Sequence, residues 1–160
     1  MKIRTGFVSN SSSSSFIVIG QLKNDEYINK LRKDYGNRDT LAIKPNWGCH
    51  EFGWENEKYT YFWDRVMFSF IQAEYREKDK PKWMEMLNKV LKDKLKVKGI
   101  VWGITTKWGE HAPKETEDAY IDHQSASNEG QNIEMFESEE QLVNFLFAGG
   151  SYIQGGNDNE

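Results

Sequence analysis

The sequence is poor in the residues that staple or interrupt a small protein. It holds one cysteine, Cys49, and three prolines in 160 residues. A single thiol excludes an intrachain disulfide framework, which fits a reducing compartment. No stretch approaches the roughly 18 consecutive apolar residues that a membrane span needs. The N-terminus carries early positive charge but no apolar core of signal-peptide length, because a serine run interrupts it. The expectation is a cytoplasmic protein that does not engage a membrane.

Basic excess is also lacking. Lys and Arg total 21 against 25 Asp and Glu, a net charge of −4. Phosphate contacts dominate the affinity of duplex-binding domains, which therefore show a basic stripe. The lysines that do cluster here, from Lys80 to Lys98, follow the polar face of one expected helix and read as solvated. Nucleic acid is not an expected partner. Imidazole is scarce as well, with three histidines, His50, His111 and His123. None pairs with another or with Cys49 at the Cys-x-x-Cys or His-x-x-x-His spacing typical of zinc sites. No metal and no cofactor is expected.

What is abundant is aromatic carbon: 14% of residues, six of them Trp, beside 29% charged residues. That balance argues against disorder and for a modest core of large rings under a charged exterior. A chain of this length buries roughly 68–70% of its unfolded surface, enough for one domain without staples.

Periodicity divides the chain as follows. Phe16 to Gly20 reads as a short buried strand. Asn24 caps a helix running to about Tyr35, with Tyr27, Ile28, Leu31 and Tyr35 at helical spacing and Gly36 as its stop. Thr40 to Ile43 is a second strand. A strong helix covers about 59–78, with Phe62, Trp63, Val66, Met67, Phe70 and Ile71 as its apolar stripe. Pro81 opens the next helix, buried through Met84, Leu87, Val90, Leu91 and Leu95. Val97 to Thr106 and Ala119 to His123 are strands. Ser138-Glu139-Glu140-Gln141 is a capping-box pattern before a helix ended by Gly149-Gly150, and Ser151 to Ile153 adds a last short strand. The expected fold is α+β: one small mixed sheet from the strands near 16–20, 40–43, 98–105 and 119–123, packed by about four helices in a single domain over 16–154. Residues 1–15 form a serine-rich arm or loop, and 155–160 a polar tail.

The most specific feature is the serine run, Ser9-Asn10-Ser11-Ser12-Ser13 continuing through Ser15 to Phe16. Its hydroxyls compete for nearby backbone groups and disfavour helix. Two readings stand level. A Ser tract is commonly a flexible arm. Here, however, Phe7, Val8 and Phe16 flank it with apolar anchors, and a strand follows at once, as for a loop pinned at both ends. The run lacks the Gly-x-x-x-x-Gly-Lys-Ser/Thr spacing of a phosphate-binding loop.

Two other constellations carry chemistry. In Tyr120-Ile121-Asp122-His123-Gln124-Ser125, His123 titrates near neutrality and suits a general base. Strand alternation sends Asp122 and His123 to opposite faces, so their adjacency is not a relay, and a hydrogen-bonded core histidine is the blander reading. The tail residues Asn157, Asp158 and Asn159 offer amides and a carboxylate without Ca-loop periodicity. Of the tryptophans, Trp63, Trp83 and Trp102 fall in expected elements and read as core, whereas Trp47, Trp54 and Trp108 fall in loops where a ligand can stack. Cys49 beside His50 is a weak nucleophile–base pair, because the fold and not adjacency places a base.

Taken as a set, the segment Arg4 to Ser15 with Phe16, the Tyr120–Ser125 segment and the terminal Gly156-Asn157-Asp158-Asn159 resemble parts of small proteins of bacteriophages and related bacterial genomes. The resemblance implies an origin, hence host-cell cytoplasm, and supplies no mechanism. It also implies that three separated polar segments meet in one site, with Ser9, Asn10, Ser11, Ser12, Ser13, Gln124, Ser125, Asn157, Asp158, Asn159, Trp47 and Trp54 as binding candidates. The function expected is a non-enzymatic accessory protein that binds a host protein or small ligand. The alternative is a hydrolase or transferase using His123 and Asp122 beside the serine run and tail.

Overall fold

The computed structural model describes residues 2–3, 14–49, 51–53, 56–106, 118–121 and 133–156. The chain order is β1 (Lys2–Ile3), β2 (Ser14–Ile19), α1 (Glu26–Tyr35), β3 (Thr40–Ile43), a 3-10 turn (Pro45–Trp47), β4 (Glu51–Phe52), β5 (Lys58–Tyr59) and α2 (Phe62–Tyr75). It continues with α3 (Lys80–Leu95), β6 (Gly99–Trp102), β7 (Thr105–Thr106), β8 (Asp118–Ile121), a second 3-10 turn (Glu134–Phe136), α4 (Glu139–Phe147) and β9 (Tyr152–Gly156). This is a small α+β domain, as the periodicity indicates.

Helix α2 is the centre of the molecule. Phe62, Trp63 and every residue from Arg65 to Ala73 are buried, because α3, α4 and β8 all pack against it. A helix covered on all sides needs apolar residues around its whole circumference, and Phe68 and Ala73 extend the six-residue stripe accordingly. Its start is later than periodicity suggests. Lys58 and Tyr59 are drawn into β5 by pairing with Gln154 and Ile153 of β9. Helix α3 begins with Pro81 in its first turn and buries Trp83, Leu87, Val90, Leu91 and Leu95. Lys92 and Lys94 sit in its last turn, where cations oppose the partial negative charge of the helix end.

The expected single mixed sheet is divided into three. One sheet has the order β1-β2-β9-β5, the second pairs β3 with β6, and the third has the order β4-β8-β7. The first is antiparallel throughout; the pairings in the other two are parallel. Four of the strands, β1, β4, β5 and β7, are two residues long, so no alternation marks them. They draw β2 and β8 into separate sheets. Short edges also blunt the first sheet against pairing with other chains, and Lys58 on its β5 edge lies 4.1 Å from the centroid of the Tyr152 ring.

The core is built of rings. Phe70 stacks on Trp102 at 4.5 Å and Trp83 on Phe136 at 4.7 Å, while Phe52 meets Phe68 edge-on at 5.2 Å. Trp63 and Trp83 are core residues, and the half-buried Trp102 packs against the core with its indole N–H donating to Asn88.

Two ionisable side chains, Arg65 and Glu134, are buried among the described residues. Arg65, 2% exposed, donates from one terminal nitrogen to the carbonyls of Phe145 (3.1 Å) and Ala148 (2.7 Å). These lie at the C-terminus of α4, whose last carbonyls have no partner within the helix and carry its negative dipole end. Ser151 completes the turn: its hydroxyl donates to the Asn144 carbonyl and accepts from the Gly20 N–H. A β-carbon on Gly20 would stand 2.9 Å from the Gly150 backbone, so only glycine lets β2 end so close to the start of β9.

Candidate functional site

The register of the first sheet decides which chain segments share an end of the fold. Strands β2 and β9 run antiparallel with Ser14 opposite Gly156 and Ser15 opposite Gly155. The serine run therefore enters the described fold beside the point where the C-terminal tail leaves it. Gly155 and Gly156, the first residues of the expected tail, are part of β9. Strand β1 pairs with β2 through Lys2–Ile19 and Ile3–Val18, so the serine run belongs to the connection between two paired strands and is tethered at both sides.

Strand β5 begins at the same end. The Gly155 N–H donates to the Glu57 carbonyl at 2.8 Å, and the Gln154 side-chain amide donates to the same carbonyl at 3.2 Å, which fixes the entry into β5. Tyr59 of β5 packs edge-on against Phe52 at 5.0 Å, and Phe52 of β4 pairs with Ile121 at the C-terminal end of β8. Asp122 and His123 follow Ile121 directly in the chain.

Beside these strand ends the loop from Pro45 to Cys49 is clamped to the first turn of α2. The Cys49 N–H donates to an Asp64 carboxylate oxygen at 2.6 Å, and the thiol donates to the Glu51 carbonyl at 3.0 Å. The Tyr59 hydroxyl lies within hydrogen-bonding reach of the Cys49 sulfur and the Glu57 carboxylate. Gly48 fits against α2 so closely that a β-carbon would sit 2.6 Å from the Trp63 carbonyl carbon. Burial pushes the Cys49 thiol above its ordinary value, partly offset by the Glu51 backbone, with the Asp64 charge adding to the rise. Burial, reinforced by the Cys49 and Glu57 charges, likewise pushes the Tyr59 phenol well up. Burial raises Asp64 too, partly offset by the Cys49 N–H bond. A neutral thiol that donates its proton to a carbonyl is a latch between loop, strand and helix. Burial disfavours the thiolate that a nucleophile requires.

Of the binding candidates, Trp47 is the one within the described residues. It is half-buried, its ring centroid 5.3 Å from Tyr35 and 4.7 Å from Trp63. Much of its stacking surface is therefore committed to the protein. Ser9, Asn10, Ser11, Ser12, Ser13, Trp54, Asp122, His123, Gln124, Ser125, Asn157, Asp158 and Asn159 lie outside the described residues. Among the described residues, no group of three or more His, Cys, Asp and Glu side chains is placed to hold a metal ion, and no helix is long and apolar enough to cross a membrane.

Sequence reasoning passed over Tyr59, Asp64 and Arg65. Asp64 had a signal, since an acidic residue in the first helical turn is a common partner for a backbone N–H. Arg65 had none: its partners are 80 and 83 residues away. Compared with family models, with curated proteins and with solved structures, the chain matches none.

Proposed function

We propose that the chain is a non-enzymatic binding module of the bacteriophage accessory type, taking a host protein or small ligand at the end of the fold where β2 begins and β9 and β8 finish. The observation that supports this reading is the pairing of Ser14 with Gly156, which joins the attachment points of two of the three polar segments. The exit of the third, at Ile121, is linked to them through Phe52 and Tyr59. A site drawn from several chain segments, set on paired strands, suits recognition: the strands supply rigidity and the connections supply variable chemistry. The latch at Cys49 holds that end together and takes no part in bond making.

The alternative is a hydrolase or transferase using His123 and Asp122 beside the serine run and the C-terminal tail; the Phe52–Ile121 pairing holds the strand that precedes them. Affinity capture from host lysate separates the two. The intact chain is compared with variants carrying Ala at Ser11, Ser12 and Ser13, at Asn157 and Asp158, or at His123. The binding reading expects one set of proteins or ligands lost in all three variants while the fold is retained by circular dichroism. Capture that is unchanged in all three removes the site. A captured small molecule chemically altered by the intact chain and not by His123→Ala establishes the enzyme instead.

A further inference from the structure

We draw no further inference here: the strongest candidate, the outer face of the two-stranded parallel sheet β3–β6 with the half-exposed Val101 near its centre, carries nothing because nothing in the structure shows what covers it.

Discussion

Replacing Arg65 by alanine removes the side chain that hydrogen-bonds α2 to the end of α4. The guanidinium is 2% exposed and donates to two carbonyls, at 3.1 and 2.7 Å. Hydrogen bonds to a charged group contribute about 1.5–3 kcal/mol each in net terms. The lost arginine stem also leaves a cavity in the buried site. Against this, burying the charge is itself costly, and it lowers the Arg65 pKa to about 10. Removing the cation recovers part of that cost. The carbonyls stay buried and lose their donor, so the net effect remains unfavourable. Arg65→Ala is expected to lose about 3–5 kcal/mol, from two buried carbonyls left without a donor and the lost packing of the stem. For a chain of this size that is a fall of about 6–20 °C in Tm. Arg65→Met keeps the packing volume and is expected to lose less, about 1–3 kcal/mol, the cost of leaving buried acceptors unsatisfied. Thermal and urea unfolding followed by circular dichroism reads both. An Arg65→Ala loss under about 1 kcal/mol, or Arg65→Met no better than Arg65→Ala, refutes the idea that the cation caps α4.

Four further outcomes follow from the latch and its surroundings. Alkylation of Cys49 by iodoacetamide in the folded protein is expected to show its pH midpoint above the ordinary thiol value of 9.0; a midpoint below that value contradicts the neutral latch. Cys49, Tyr27 and Tyr59 all have raised values, so each holds its proton more tightly in the folded chain, and stability is expected to fall as pH rises through about 9, below the region near 10 where the lowered Arg65 value opposes it. A urea midpoint flat from pH about 8 to 9.5 argues against it. Asp64→Asn keeps an acceptor for the Cys49 N–H and removes a carboxylate whose burial is unfavourable, so it is expected within about 1 kcal/mol of the parent, whereas Asp64→Ala loses about 1–3 kcal/mol; equal effects mean the 2.6 Å contact is not what matters. Gly48→Ala forces a β-carbon onto the Trp63 backbone and is expected to cost about 1–3 kcal/mol, and a neutral result shows that the loop is not seated there.

The four helices and the longer strands were legible because each buries a face whose period shows in the chain. Ser138 capped its helix as the local pattern implies, accepting from Gln141 N–H at 3.1 Å. Asn24 missed the cap by one residue: Asp25 precedes α1 and the Asn24 side chain accepts from Glu26 N–H. Sheet membership was not legible. Lys58 and Tyr59 continue an apparent helical stripe, and only their contact with β9, nearly a hundred residues on, makes them strand. The break of the 97–106 segment into β6 and β7 has the same origin, since Gly103 donates to Ile43 while Thr105 and Thr106 pair with β8. For the site, the grouping of the serine run with the tail had support from resemblance alone, and its physical counterpart is a register between residues 14 and 156 that no local pattern encodes. The hydrogen bonds of Cys49 to Asp64 and Glu51 had no local signature.

The most direct measurement of the central claim is a disulfide trap at that register. Ser14→Cys and Gly156→Cys are combined in a Cys49→Ser background, and the folded monomer is oxidised and analysed by mass spectrometry after proteolysis. Opposed residues of an antiparallel pair stand about 4.5–5.5 Å apart at Cα, inside the range a disulfide spans. The account predicts an intramolecular cross-link in nearly all of the folded protein, abolished when unfolding precedes oxidation at low protein concentration. Folded protein whose two thiols stay free would mean that the serine run and the tail do not share an end of the fold.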